Sequence, residues 1–133
     1  MTEPAPAAPV PLRVLVVDAD DRIRESLARL LPIGGRCLVV GSAGETARAL
    51  ELATSMSPEV VVIDSRIPDL TVDHNFVASL RSIVPGVRIV VLTWSDADGG
   101  PVALPGADAY IRKTFRPQEL IDAVVNAARR TVA

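Results

Sequence analysis

The chain has 133 residues, of which 49% are hydrophobic and 23% charged, and this size and apolar content suit one domain with a buried core. With 14 basic and 16 acidic residues the formal net charge is -2, which gives no electrostatic attraction to nucleic acid or to anionic lipid. The apolar runs fall short of the roughly 20 residues that a membrane-spanning helix needs. We therefore expect a cytoplasmic protein that neither binds nucleic acid directly nor inserts into a membrane.

Residues 1–11 are rich in proline and alanine and lack apolar periodicity, so we predict a disordered leader there and one folded domain over 12–133. From residue 12 onward, short β-branched runs alternate with apolar residues at helical spacing. The predicted strands are 12–17, 36–41, 59–63, 87–92 and 108–112. Strands this uniformly apolar are buried on both faces, which predicts an α/β fold with a parallel sheet and helices on both sides. Two glycines and two prolines within 94–105 predict that the fourth helix is short or broken.

Polar residues follow the predicted strands at the edge where an open parallel sheet binds ligands. Asp18 and Asp64 each come directly after an apolar strand, Thr93 follows the fourth strand, and Lys113, the only lysine of the chain, follows the fifth. Aspartate is also a common helix cap, which accounts for several other acids in these loops. Two partly buried carboxylates repel each other and need a cation: Mg²⁺, the lysine ammonium, or both. Such a group of residues can make a carboxylate nucleophile that accepts a phosphoryl group.

Four segments carry a family resemblance: VLVVDADD at 14–21, VVVIDSRIP at 60–68, VVLT at 90–93 and GADAYIRK at 106–113. In order, strand context and spacing they resemble the receiver domain of two-component response regulators. The resemblance implies a flavodoxin-like, five-stranded parallel sheet of order 2-1-3-4-5. It also implies that a partner histidine kinase or phosphotransfer protein donates a phosphoryl group to one aspartate.

The resemblance assigns a role to each site position by its place in these motifs. Asp64 is the phosphoacceptor, and Thr93 and Lys113 contact the phosphoryl group. Mg²⁺ is held by Asp18, Asp64 and the backbone carbonyl of Arg66, and the switch residues are Thr93 and Tyr110.

Three departures from the family pattern bear on function. Ala19 stands where the family has the second acid of its metal-binding pair, which predicts weakened Mg²⁺ binding, with Asp20 as a candidate substitute ligand. Trp94 stands where the family prefers a small residue, and its indole is either a lid over the site or a surface aromatic. The glycines and prolines of 94–105 predict an altered signalling face beside Tyr110.

The sequence ends soon after the last predicted helix, so we expect a stand-alone receiver that signals through contact with a downstream protein. It is expected to be a monomer or a phosphorylation-dependent dimer, and not an enzyme beyond its own phosphorylation and dephosphorylation. The alternative is a phosphorylation-independent adaptor that keeps the receiver fold to bind a protein partner. A flavin carrier of similar topology is disfavoured, because no hydroxyl-rich phosphate loop follows the first strand.

Overall fold

A computed structural model describes residues 10–64, 75–93, 106–112 and 116–129. Strands and helices alternate along most of this part of the chain, as the change between β-branched runs and helical spacing predicts. The strands are β1 (Leu12–Val17), β2 (Cys37–Ala43), β3 (Val60–Asp64), β4 (Arg88–Thr93) and β5 (Ala109–Arg112). The helices are α1 (Asp21–Leu30), α2 (Thr46–Met56), α3 (Phe76–Ile83) and α4 (Pro117–Arg129). The label α4 denotes the last helix predicted from the sequence, not the short fourth helix predicted within 94–105.

The five strands form one parallel sheet in the order β2-β1-β3-β4-β5, which confirms the predicted fold class. After β1 the chain moves outward to β2, and it then returns past β1 to form β3 on the other side. This reversal opens a crevice beyond the carboxyl ends of β1 and β3, where open α/β sheets bind their ligands. The fold therefore places the residues after β1 and β3 at the candidate site.

The sheet is buried on both faces because successive side chains of each strand point to opposite sides. On β1, Leu15 and Val17 belong to the core that includes Phe76 of α3, whereas Val14 and Val16 belong to the core that includes Val124 of α4. Each central strand contributes to both cores, so polar residues are tolerated only at its ends. This arrangement explains why the strands read as continuous apolar runs.

Local chemistry sets several element boundaries. Asp20 caps α1, since its Oδ1 accepts hydrogen bonds from the amides of Arg22 at 2.9 Å and Ile23 at 3.2 Å. Pro117 occupies the first position of α4, where a missing amide proton costs nothing. β1 has its predicted limits, and each of the other four strands differs from its predicted limits by one or two residues at one or both ends. As a result β3 and β4 end on Asp64 and Thr93 themselves.

Two expectations concern residues outside the described ranges. The predicted leader falls mostly on 1–9 and the predicted short fourth helix on 94–105, so both remain predictions. Within the described ranges, no helix combines the length and the apolar character needed to cross a membrane.

Candidate functional site

The site is centred on two buried carboxylates at the ends of adjacent strands. β1 and β3 pair with Val17 opposite Ile63, so the residues that follow, Asp18 and Asp64, lie side by side at the sheet edge. Asp18 is 0% exposed and Asp64 is 4% exposed. Burial of carboxylates is expensive unless positive charge or hydrogen bonds compensate it. Two such groups next to each other indicate a site built to meet a cation.

Backbone contacts hold Asp18 on the β1 side of the site. Its amide donates a hydrogen bond of 2.9 Å to the carbonyl of Ala43, which continues the β1–β2 pairing one residue past the strand. Its Oδ1 accepts a 2.9 Å hydrogen bond from the amide of Asp20. The carboxylate of Asp18 is therefore oriented by the turn that leads into α1.

The turn between β1 and α1 contains the position at which this sequence departs from the family pattern. Ala19 is exposed and carries no metal-binding atom on its side chain. Asp20, the candidate substitute, uses its Oδ1 to cap α1, which competes with ligation through that same oxygen. A site without the second acid has one fewer anionic ligand for a divalent ion.

Thr93 and Tyr110 lie on the other side of Asp64. Asp64 pairs with Leu92 on β4, which puts the half-buried Thr93 one residue further out on the neighbouring strand. On β5, Ala109 and Ile111 pack against the core that α1 and α4 cover. Tyr110 therefore points to the opposite face, where its side chain is 45% exposed. The register brings Thr93 to the candidate site and leaves Tyr110 at a surface from which a partner can contact it.

Three predicted site residues lie outside the described ranges: Arg66, Trp94 and Lys113. Lys113 directly follows Arg112, whose Cα is paired with that of Thr93. The roles of Arg66 as the third Mg²⁺ ligand and of Lys113 as the phosphate-binding cation therefore remain predictions. The two alternatives for Trp94, a lid or a surface aromatic, also remain open.

The described donor set suits a hard cation. Two adjacent buried carboxylates, those of Asp18 and Asp64, offer the oxygen ligands that Mg²⁺ prefers. No group of three His, Cys, Asp or Glu side chains suited to a metal ion occurs among the residues described above. The backbone carbonyl of Arg66, the expected third ligand, belongs to a residue outside the described ranges.

Sequence reasoning missed Arg24 and Gly44, which also lie at this edge. One Nη atom of Arg24 donates a 2.8 Å hydrogen bond to the carbonyl of Asp18, and the other binds the carboxylate of Asp21. Gly44 follows β2 directly and borders the same guanidinium. The i, i+3 spacing of Asp21 and Arg24 signals an ion pair, but the contact with Asp18 depends on how the turn folds back.

Away from the site, Asp122 of α4 is held within the chain. Its carboxylate accepts hydrogen bonds from Arg36, just before β2, and from Gln118 at 3.1 Å. The Arg36 hydrogen bond, together with that from Gln118, lowers the pKa of Asp122 below its usual value. Burial raises the pKa of the Cys37 thiol, the one cysteine of the chain, which indicates a packing residue rather than a reactive nucleophile.

Curated proteins are similar to this chain over most of its length. The chain is 37% identical over 124 residues to the response regulator MprA of Mycolicibacterium vanbaalenii, an alignment that covers 92% of this chain and 52% of that protein. It is 31% identical over 121 residues to the nitrate/nitrite response regulator NarP of Escherichia coli, covering 90% of this chain and 56% of that one. This chain therefore spans about half the length of these curated relatives.

Solved structures give the same result for the fold. The signal receiver domain of the response regulator NarL from Mycobacterium tuberculosis superposes with a TM-score of 0.74 at 27% identity, covering 92% of this chain and 100% of that one. The chemotaxis response regulator CheY4 of Vibrio cholerae has a TM-score of 0.68 at 24% identity, over 88% and 98% of the two chains, and shows the shared fold.

The family model for the response regulator receiver domain matches residues 14–125, which run from within β1 into α4 and include the whole of β2, β3, β4 and β5. The four sequence motifs, at β1, β3, β4 and β5, thus predicted the correct family. This chain belongs to the response regulator receiver domain family.

Proposed function

We propose that this domain accepts a phosphoryl group on Asp64 from a histidine kinase or a phosphotransfer protein. The observation that carries the proposal is the burial of Asp64 beside Asp18 at the crevice of the sheet. A carboxylate oxygen of Asp64 attacks the phosphorus of a phosphohistidine. The new O–P bond gives an acyl phosphate, the P–N bond breaks, and the electron pair of that bond returns to the imidazole.

The chain's own residues have distinct parts in this proposal. The hydroxyl of Thr93 donates a hydrogen bond to a phosphoryl oxygen, and the ammonium of Lys113 pairs with another. Mg²⁺, when bound by the carboxylates of Asp18 and Asp64 and the carbonyl of Arg66, supplies charge neutralisation for the phosphoryl oxygens. Since Ala19 provides no carboxylate, we expect Mg²⁺ binding weaker than in a site with two acids after β1.

The proposed output is a change in protein contacts. Tyr110 is half-exposed on β5, one strand away from Thr93, so movement of Thr93 toward the phosphoryl group can alter the surface around the tyrosine. In this proposal the domain works in the cytoplasm and catalyses nothing beyond its own phosphorylation and dephosphorylation. Its existence as a stand-alone chain, monomeric or dimeric on phosphorylation, stays a prediction that the intact mass of the native protein and its size in solution can test.

The experiment is intact-mass analysis after incubation with a small-molecule phosphodonor, with Mg²⁺ or with a chelator. We expect a Mg²⁺-dependent gain of one phosphoryl group in the wild type and in Asp122→Asn, and none in Asp64→Asn. Asp122→Asn is the matched control, because its carboxylate lies on α4 and pairs with Arg36 away from the site. Equal gain in Asp64→Asn and wild type would contradict the assignment of the acceptor.

A second candidate function is the phosphorylation-independent adaptor. It is favoured by the lack of a second carboxylate available for Mg²⁺ after β1, since residue 19 is an exposed alanine and the side chain of Asp20 caps α1. Partner binding that is equal in wild type and Asp64→Asn, with and without the phosphodonor, would support the adaptor. Binding that follows the phosphorylation of Asp64 would refute it.

A further inference from the structure

Arg24 lies on α1, yet its side chain reaches back to the turn that leaves β1. One Nη atom donates a hydrogen bond of 2.8 Å to the backbone carbonyl of Asp18. The other Nη atom binds the carboxylate of Asp21, and the arginine side chain is only 21% exposed. A permanently charged, two-armed donor therefore links the helix to the residue that begins the acidic site.

The loop after β2 leaves space for this guanidinium. A Cβ atom built on Gly44 would lie 2.9 Å from Nη1 of Arg24 and 3.8 Å from the carbonyl oxygen of Asp18. Gly44 does not have the positive φ that favours glycine, so its backbone conformation is open to alanine. The lack of a side chain at residue 44 is thus explained by the room that Arg24 occupies between the loops after β1 and β2.

Three hydrogen bonds support Asp18. Its amide is held by Ala43 and its Oδ1 by the amide of Asp20, and Arg24 holds its carbonyl. The peptide groups on both sides of residue 18 therefore have fixed hydrogen bonds, which restricts rotation of its backbone. Residues that hydrogen-bond to a metal-binding residue without touching the metal orient its carboxylate.

We infer that Arg24 is a positioning residue of the acceptor site, which holds Asp18 in the orientation that binds the divalent cation. The inference rests on the proposed function, because it assigns a purpose to Arg24 within that site. Gly44 leaves room for the guanidinium, since a Cβ at residue 44 would lie 2.9 Å from Nη1 of Arg24 and displace it. With Ala19 offering no second carboxylate, cation binding depends more strongly on the orientation of Asp18.

The test is a calorimetric titration of the folded domain with Mg²⁺, carried out on the variant Arg24→Gln and on the matched control Arg22→Gln. Arg22 is exposed on the same turn of α1, so its substitution removes an equal charge. We expect Arg24→Gln to bind Mg²⁺ about tenfold more weakly than wild type, the lower end of the loss typical for such outer partners. We expect Arg22→Gln to stay within about twofold, as an exposed charge contributes little. The thermal midpoint of each variant is measured alongside, and affinities are compared well below it.

A second pair of variants tests the role of Gly44. Gly44→Ala displaces the flexible end of Arg24 and is expected to weaken Mg²⁺ binding. Both changes remove the same contact between Arg24 and Asp18. The double variant Arg24→Gln/Gly44→Ala should therefore bind Mg²⁺ no more weakly than whichever single variant has the lower Mg²⁺ affinity. Additive losses, or Arg24→Gln binding as well as Arg22→Gln, would overturn the inference.

Failure of the proposed function is distinguishable from failure of this inference. A wild-type protein that takes up neither Mg²⁺ nor a phosphoryl group refutes the proposed function. The position of Asp18 is then read from hydrogen exchange of the Asp20 amide, which donates to its Oδ1. Faster exchange in Arg24→Gln than in Arg22→Gln supports the positioning role, and equal exchange overturns it.

Discussion

Replacement of Asp64 by asparagine should make the metal-free domain more stable while it abolishes the proposed phosphorylation. Residues 18 and 64 directly follow paired positions on neighbouring strands, and such strands lie about 4.8 Å apart. Two unit charges about 5 Å apart repel each other by about 3 kcal/mol at an effective dielectric constant near 20. Asparagine keeps the shape of the side chain and removes one of the two charges.

The expected gain is smaller than this repulsion, because the substitution also removes the attraction that we predict between Asp64 and the ammonium of Lys113. We expect about 1 to 2 kcal/mol of added stability, which for a domain of this size corresponds to a rise of about 4 to 8 °C in Tm. The assay is thermal and urea unfolding followed by circular dichroism, in the presence of a chelator. Asp122→Asn is the control and should not gain stability, since it loses its partner Arg36 rather than a repulsion.

In the presence of Mg²⁺ we expect the wild type to be more stable than Asp64→Asn, the reverse of the order in chelator. A ligand at 100 times its Kd stabilises the folded state by about 2.7 kcal/mol, and this gain should appear in wild type and be lost or strongly reduced in Asp64→Asn. A metal-free Asp64→Asn domain that is less stable than wild type would refute the reasoning. It would mean that the two carboxylates do not repel each other across the crevice.

The remaining predictions test the surroundings of the site. Ala19→Asp restores a carboxylate beside Asp18 and should tighten Mg²⁺ binding about tenfold, measured by calorimetry, at the cost of stability in chelator; unchanged affinity would contradict the role given to residue 19. Asp20→Ala removes the cap of α1 and should lower stability by about 1 kcal/mol in urea unfolding. Arg36→Gln should raise the pKa of Asp122 toward its ordinary value in an NMR titration. Because that pKa is depressed in the folded state, the stability that the Arg36 contact adds is present above the unfolded-state pKa and is lost as pH falls through the folded-state value.

Much of the fold was predictable because the residues of the strands serve two cores at once. Val14 and Val16 face one helical layer and Leu15 and Val17 the other, so a run of apolar residues signals a sheet buried on both sides. The cap of α1 by Asp20 depends only on local hydrogen bonds, which fits the general preference of aspartate for this position. Strand ends were less predictable, since they depend on pairing with the neighbouring strand.

The pairing of Asp18 with Asp64 was predictable because both residues directly follow apolar strands. A charged residue directly after an apolar strand must lie at the sheet edge, and the order of the strands brings Asp18 and Asp64 together. The contact between Arg24 and the carbonyl of Asp18 was not predictable, because it depends on the path of one turn. The Arg36–Asp122 pair joins residues 86 positions apart, and only the packed fold brings them into contact.

The central claim, that Asp64 is the phosphoacceptor, is tested most directly by locating the phosphoryl group in the wild-type chain. After incubation with a phosphodonor and Mg²⁺, borohydride reduction converts an aspartyl phosphate to homoserine, which peptide mass spectrometry assigns to a position. We predict homoserine at position 64, absent when the donor or Mg²⁺ is omitted. Homoserine at another aspartate, such as Asp18 or Asp20, or at none in protein shown to be folded, would contradict the claim.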